Sequence, residues 1–133
     1  MNRHEPWRTD DPQAHTRAVE WLLAQGRAAD GPAAERWRWL EAAHVLGQPV
    51  WRLHARTHAA MARQALADRD AREWWGQWLR WALTVPGHAL RRLPAGNHGR
   101  ARMSPFAPME VPADLTDRIR QALVAANAAP PSA

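Results

Sequence analysis

Apolar residues recur along most of this chain at spacings of three and four, the period of a helix packed on one side rather than of a strand. Asp11-Pro12 predicts a helix start, with Pro at the first helical position; Val19, Leu22 and Leu23 form its stripe, and Gly26 lies near its end. Asp30-Gly31-Pro32 opens a second helix whose face carries Trp37, Leu40, Ala43 and His44. Gly47 closes it and Pro49 prevents its continuation. A third helix is expected from about Val50 to about Ala67, with Trp51, His54, His58, Met61 and Ala65 along one side. Asp70 with Glu73 resembles a capping box for a fourth, lined by Trp74, Trp78, Trp81 and Val85 and ended by Pro86-Gly87.

A degenerate echo links Trp39–Gly47 (WLEAAHVLG) to Trp78–Pro86 (WLRWALTVP). It predicts an all-α fold of two stacked, tetratricopeptide-like helical hairpins. From His88 the texture turns rich in Gly, Pro and Arg, as expected of irregular chain wrapping the helices. Asp114 is placed to cap a short last helix running to about Ala126. The expected organisation is a flexible N-terminus over 1–10, one helical domain over 11–126 and a disordered tail over 127–133.

Composition narrows the function classes. The chain has no cysteine, which excludes a disulfide framework, a thiolate zinc site and a cysteine nucleophile. The formal charge of +5 is carried by arginine, but no RNA- or DNA-binding motif accompanies it, which argues against a nucleic-acid partner. No run approaches the roughly 18 apolar residues of a membrane span. The opening MNRHEPWRTDDPQ lacks the apolar stretch of a secretory signal, so the expected location is cytoplasmic. Nine tryptophans stand against no tyrosine; most are expected in the core, and any left exposed would mark a surface for a protein partner or a homodimer.

Four pieces of the chain resemble a bacterial family known as domain of unknown function 3703. They are EAAHVLGQ at Glu41–Gln48, HARTHAAM at His54–Met61, GQWLRWAL at Gly76–Leu83 and GNHGRARMSPFAPMEVPADL at Gly96–Leu115. The resemblance implies a compact helical domain and no assigned activity. Its pattern has threonine where this chain has His98, so a ligand role for His98 would be private to this protein.

The first candidate site is Glu41-x-x-His44 followed by His54-x-x-x-His58. Spacings of three and four put each pair on one side of its helix. A tight Gly47-Gln48-Pro49 turn would then bring His44 near His54 and Glu41 near His58. Imidazole and carboxylate donors of this kind suit zinc, iron, manganese or copper. A dinuclear carboxylate site would need more acids than Glu20, Glu35 and Glu73 supply, so a mononuclear site is expected. The alternative is a metal-free network of hydrogen-bonded histidines. Met61, one turn beyond His58, is a soft donor or simply core.

The second candidate is the turn around Asn97, His98 and Arg100, where glycines and asparagine permit an amide nest for an anionic ligand. The alternative there is a tight turn that docks the C-terminal segment, with Phe106 as anchor. Ser104 has no acid and histidine in relay with it, so a serine nucleophile has no support. Three functions follow: metal binding, with activation of water or dioxygen at an open position; a non-catalytic interaction module; and binding of a small anion at the Gly/Arg-rich turn.

Overall fold

A computed structural model describes residue 7 and residues 9–90, 98–101 and 110–129. They form five α-helices: α1 (Pro12–Ala28), α2 (Ala33–Gly47), α3 (Trp51–Ala67), α4 (Ala71–Ala89) and α5 (Ala113–Ala128). No strand occurs among the described residues, and none of the helices is long and apolar enough to cross a membrane. The all-α reading holds.

α2 is the central rod. It packs on α1, α3 and α5, and from Leu40 to Gly47 every residue is buried. α5 lies against α1 and α2, while α4 packs on α3 alone among the helices. One half of the molecule is an apolar core in which Ala18, Val19 and Leu22 of α1 meet Leu40 and Leu46 of α2 and Leu115 and Ile119 of α5. Arginine ties cross its edge: Arg38 bonds both Asp114 and Glu41, and Arg118 bonds Glu35 at 2.6 Å while lying over the Trp39 ring. Asp114 is therefore an ion-pair partner rather than the expected cap; Pro112 takes the N-cap position of α5.

The other half is polar. Between α2, α3 and α4 lie the buried side chains of Glu41, His44, His54, Thr57, His58, Glu73, Gln77, Arg80 and Thr84. Burial of so many polar groups is costly unless each finds a partner within the layer.

α4 corrects the sequence reading most strongly. Its expected core stripe is turned outward: Trp78, Trp81 and Val85 are exposed, and Trp74 is half-buried. Its inner face carries Glu73, Gln77, Arg80 and Thr84, spaced four, three and four residues apart. The capping box is also only half made. Asp70 accepts from the Glu73 amide at 2.9 Å, but the Glu73 carboxylate turns inward. Nor does Pro86-Gly87 end the helix, which runs to Ala89. Pro86 removes one donor from the ladder, and the residue whose carbonyl loses it, Ala82, is exposed and open to water.

Candidate metal centre

The α2–α3 turn sets the geometry. Gln48 N–H closes on His44 O at 2.9 Å and Val50 N–H on Gly47 O at 3.1 Å, so the chain reverses within three residues. Gly47 lies at the crossing, where a β-carbon would already touch Leu53 and Thr57 at 3.4 Å. The reversal brings His44 of α2 against His54 and His58, one turn apart on α3. Their Nε2 atoms form a nearly equilateral triangle: His44 to His54 3.0 Å, His44 to His58 3.2 Å and His54 to His58 3.1 Å. All three rings are buried.

A triangle of imidazole nitrogens cannot be satisfied by hydrogen bonds alone. Each edge needs one nitrogen with a proton and one with a lone pair, and three members of a ring cannot alternate. At least one edge must set two lone pairs, or two N–H groups, against each other at about 3 Å. A cation bound by all three lone pairs removes the conflict on every edge at once. An ion at the usual bond length of about 2.05 Å from each nitrogen would see the three edges at angles of about 94–103°, between octahedral and tetrahedral values. The triangle thus has the size of one face of a coordination polyhedron.

The outer nitrogens are held as well. His58 Nδ1 lies 2.7 Å from Gln77 Oε1. The orientation of that amide is fixed, because its nitrogen donates to Glu73 Oε1 at 2.7 Å and to the Gly99 carbonyl at 2.9 Å, both acceptors only. Gln77 therefore presents oxygen to His58, Nδ1 carries the proton, and Nε2 points a lone pair at the triangle. His54 Nδ1 lies 3.1 Å from His88 Nε2, at the far end of α4. His44 is packed by Gly99, whose φ of +83° suits glycine and where a β-carbon would stand 2.8 Å from the imidazole ring.

Burial favours the neutral form of His54 and His58. It pushes His54 down to about 3, and repulsion that His54 would feel from His58 and His88 if they were protonated adds to this. It pushes His58 down to about 4 against the opposing bond to Gln77. Neutral imidazole is the form that ligates metal.

The other expected ligand, Glu41, stands outside the triangle. Its carboxylate is drawn off by two guanidinium groups, Arg38 at 2.6 Å and Arg100 at 3.2 Å. Among the described residues, the group whose atoms could share one ion is the three histidines, with no acid.

The glycine-rich turn also differs from expectation. Asn97 lies outside the described residues, as does Phe106. Arg100 is already committed to Glu41 and to Glu73 at 3.2 Å and stacks over the Trp37 ring at 3.7 Å. Its amide donates to His98 Nδ1 at 3.3 Å, and the next amide, of Ala101, donates to Glu73 Oε1 at 3.0 Å. The anions that the Arg100 guanidinium and the Ala101 amide receive are the protein's own carboxylates, Glu41 and Glu73. Residues 98–101 therefore act as a strap that holds Glu73 and Gln77 behind His58. Gly76 makes room for the strap, since a β-carbon there would overlap the Ala101 side chain.

Sequence reasoning missed Gln77 and His88. Gln77 was legible in principle, because Glu73, Gln77, Arg80 and Thr84 form a polar stripe of helical period complementary to the tryptophans.

One family model matches the chain, over residues 13–119, and is described as a protein of unknown function. No curated protein and no solved structure matches.

Proposed function

The chain belongs to the DUF3703 family, and on that premise we propose that it binds one divalent transition-metal ion through Nε2 of His44, His54 and His58. The observation that carries this reading is the closed triangle of nitrogens, 3.0–3.2 Å on every edge, which hydrogen bonding cannot satisfy and a single cation can. Gln77 and His88 take the place of the outer-shell partners that orient metal-bound histidines.

Three uncharged nitrogen donors favour zinc or copper over manganese or magnesium, which prefer oxygen. Iron keeps a place on the donor type alone. Three protein ligands leave coordination positions to fill, and the ion would supply Lewis acidity to water or a small ligand there. Within that chemistry the chain's own residues keep His54 and His58 neutral, fix the proton of His58 on Nδ1 and hold the rings together.

The test is elemental analysis of purified protein after exposure to zinc or copper and gel filtration. We expect about one ion per chain, and its loss in the pair His54→Ala plus His58→Ala. Wild-type protein that retains no ion under both conditions would overturn the reading.

A further inference from the structure

The outer face of α4 is a second feature that the metal reading does not use. An ordinary surface helix points its apolar stripe inward. Here Trp75 is 67% exposed, Leu79 61%, Val85 58%, Trp81 46% and Trp78 40%. The rings form a ladder of edge-to-face contacts, with centroids 4.6 Å apart for Trp74–Trp75, 6.1 Å for Trp74–Trp78 and 5.9 Å for Trp78–Trp81. Ordered edge-to-face packing on a water-facing surface costs apolar hydration that a covering partner would recover.

Beside the ladder lies a hole. At the α3–α4 turn a depression of about 310 Å³ is lined by Ala65, Leu66, Arg69, Asp70, Ala71 and Trp74. Trp74 is shared: its ring forms part of the depression and touches the Trp75 ring. An exposed indole therefore stands next to an apolar hollow with room for an indole. A two-fold interface is built from one patch used twice, so a knob and a hole side by side on that patch are what it requires. The face also raises no charge conflict against its own copy. From Trp74 to Ala89 the only formally charged side chain is Arg80, and it is buried, while the hollow adds one charge of each sign, Arg69 and Asp70.

The area is of the right order. At roughly 200 Å² for a whole tryptophan, the three exposed rings offer about 300 Å², and Leu66, Leu79 and Val85 add roughly as much again. That sits at the top of the range of about 300–600 Å² for the largest apolar patch on a monomer, and near the ~800 Å² that each partner gives to a standard interface.

We propose that two copies of this chain pair through the outer faces of α4, each seating Trp75 in the hollow at the other's α3–α4 turn. The pairing sets α4 against α4, so the bundle α3/α4 is completed by its own copy. The metal centre, on the inner side of α4, stays within each protomer.

Sedimentation equilibrium of the full chain from about 1 to about 100 µM tests this. We expect a monomer–dimer equilibrium with most chains paired at the upper end. Trp75→Glu removes the knob and Ala71→Trp, at an exposed position on the rim of the hollow, fills the hole. Each should weaken pairing by more than about tenfold while leaving helical circular dichroism unchanged. A wild-type chain that stays monomeric at about 100 µM overturns the proposal. So does a dimer insensitive to both variants, or a monomer whose tryptophans are shielded from acrylamide quenching, which would place another part of the chain on this face.

Discussion

Gln77 Oε1 lies 2.7 Å from His58 Nδ1, and this contact decides which nitrogen of His58 is free to ligate. The decision starts further back. Arg100 and the Ala101 amide hold the Glu73 carboxylate, Glu73 and the Gly99 carbonyl orient the Gln77 amide, and the amide oxygen then accepts a hydrogen bond from His58 Nδ1–H.

Gln77→Leu should therefore weaken metal binding without dismantling the fold. Losing the acceptor frees His58 to carry its proton on Nε2, and outer-shell losses of this kind cost about 10- to 100-fold in affinity. The exchanged pair Glu73→Gln plus Gln77→Glu keeps an oxygen facing Nδ1 with an amide donor beside it, and should retain more of the affinity. Competition titration against a chromophoric chelator separates the two. Equal losses in both variants would show that Gln77 acts only as packing.

Acid should destabilise the metal-free protein. His54 and His58 are held near 3 and near 4 when folded, against about 6.5 when unfolded. The unfolded chain thus binds more protons between about pH 6.5 and pH 4, and stability falls as pH falls through that window. With up to two such groups, the slope is on the order of 1–3 kcal/mol per pH unit. Calorimetry of metal-free wild type should show a lower Tm at pH 5 than at pH 7. The variant His54→Ala plus His58→Ala should show a smaller difference.

Gly99→Ala should be among the most damaging small substitutions in the molecule. The new methyl would sit 2.8 Å from the His44 ring, on backbone at φ +83° that favours glycine. His44 must move or the strap must lift, and the strap packs on one of the three proposed ligands. We expect stability to fall by about 1–3 kcal/mol and metal affinity by more than about tenfold. Retained affinity would show that His44 has slack against the strap. Thermal unfolding and the same chelator titration report both quantities.

Much of the fold could be read from the chain because its punctuation is chemically specific. Asp11-Pro12 opens α1, with Asp11 accepting from the Gln13 amide at 2.9 Å, and Gly47 and Pro49 end α2 where expected. The same turn explains why His44, His54 and His58 were legible as neighbours: helical spacing and a three-residue reversal leave them little choice. Glu41 was misplaced because spacing specifies a face and not a partner; Arg38, three residues away, and Arg100, 59 residues away, compete for its carboxylate. α4 was misread because hydrophobic period gives a stripe without saying which side is the core. Only the tertiary location of Gln77 and Glu73 against the histidines fixes that its polar stripe faces in. His88 lies 34 residues from His54, and nothing local ties the two together.

X-ray absorption at the edge of a stoichiometrically loaded ion, zinc or copper, tests the central claim most directly. The triangle of His44, His54 and His58 predicts a first shell containing about three imidazole nitrogens at about 2.0–2.1 Å, with the outer-ring scattering that imidazole gives. A first shell of oxygen donors without imidazole scattering, or an ion that stays bound when His54 and His58 are both replaced by alanine, would contradict it.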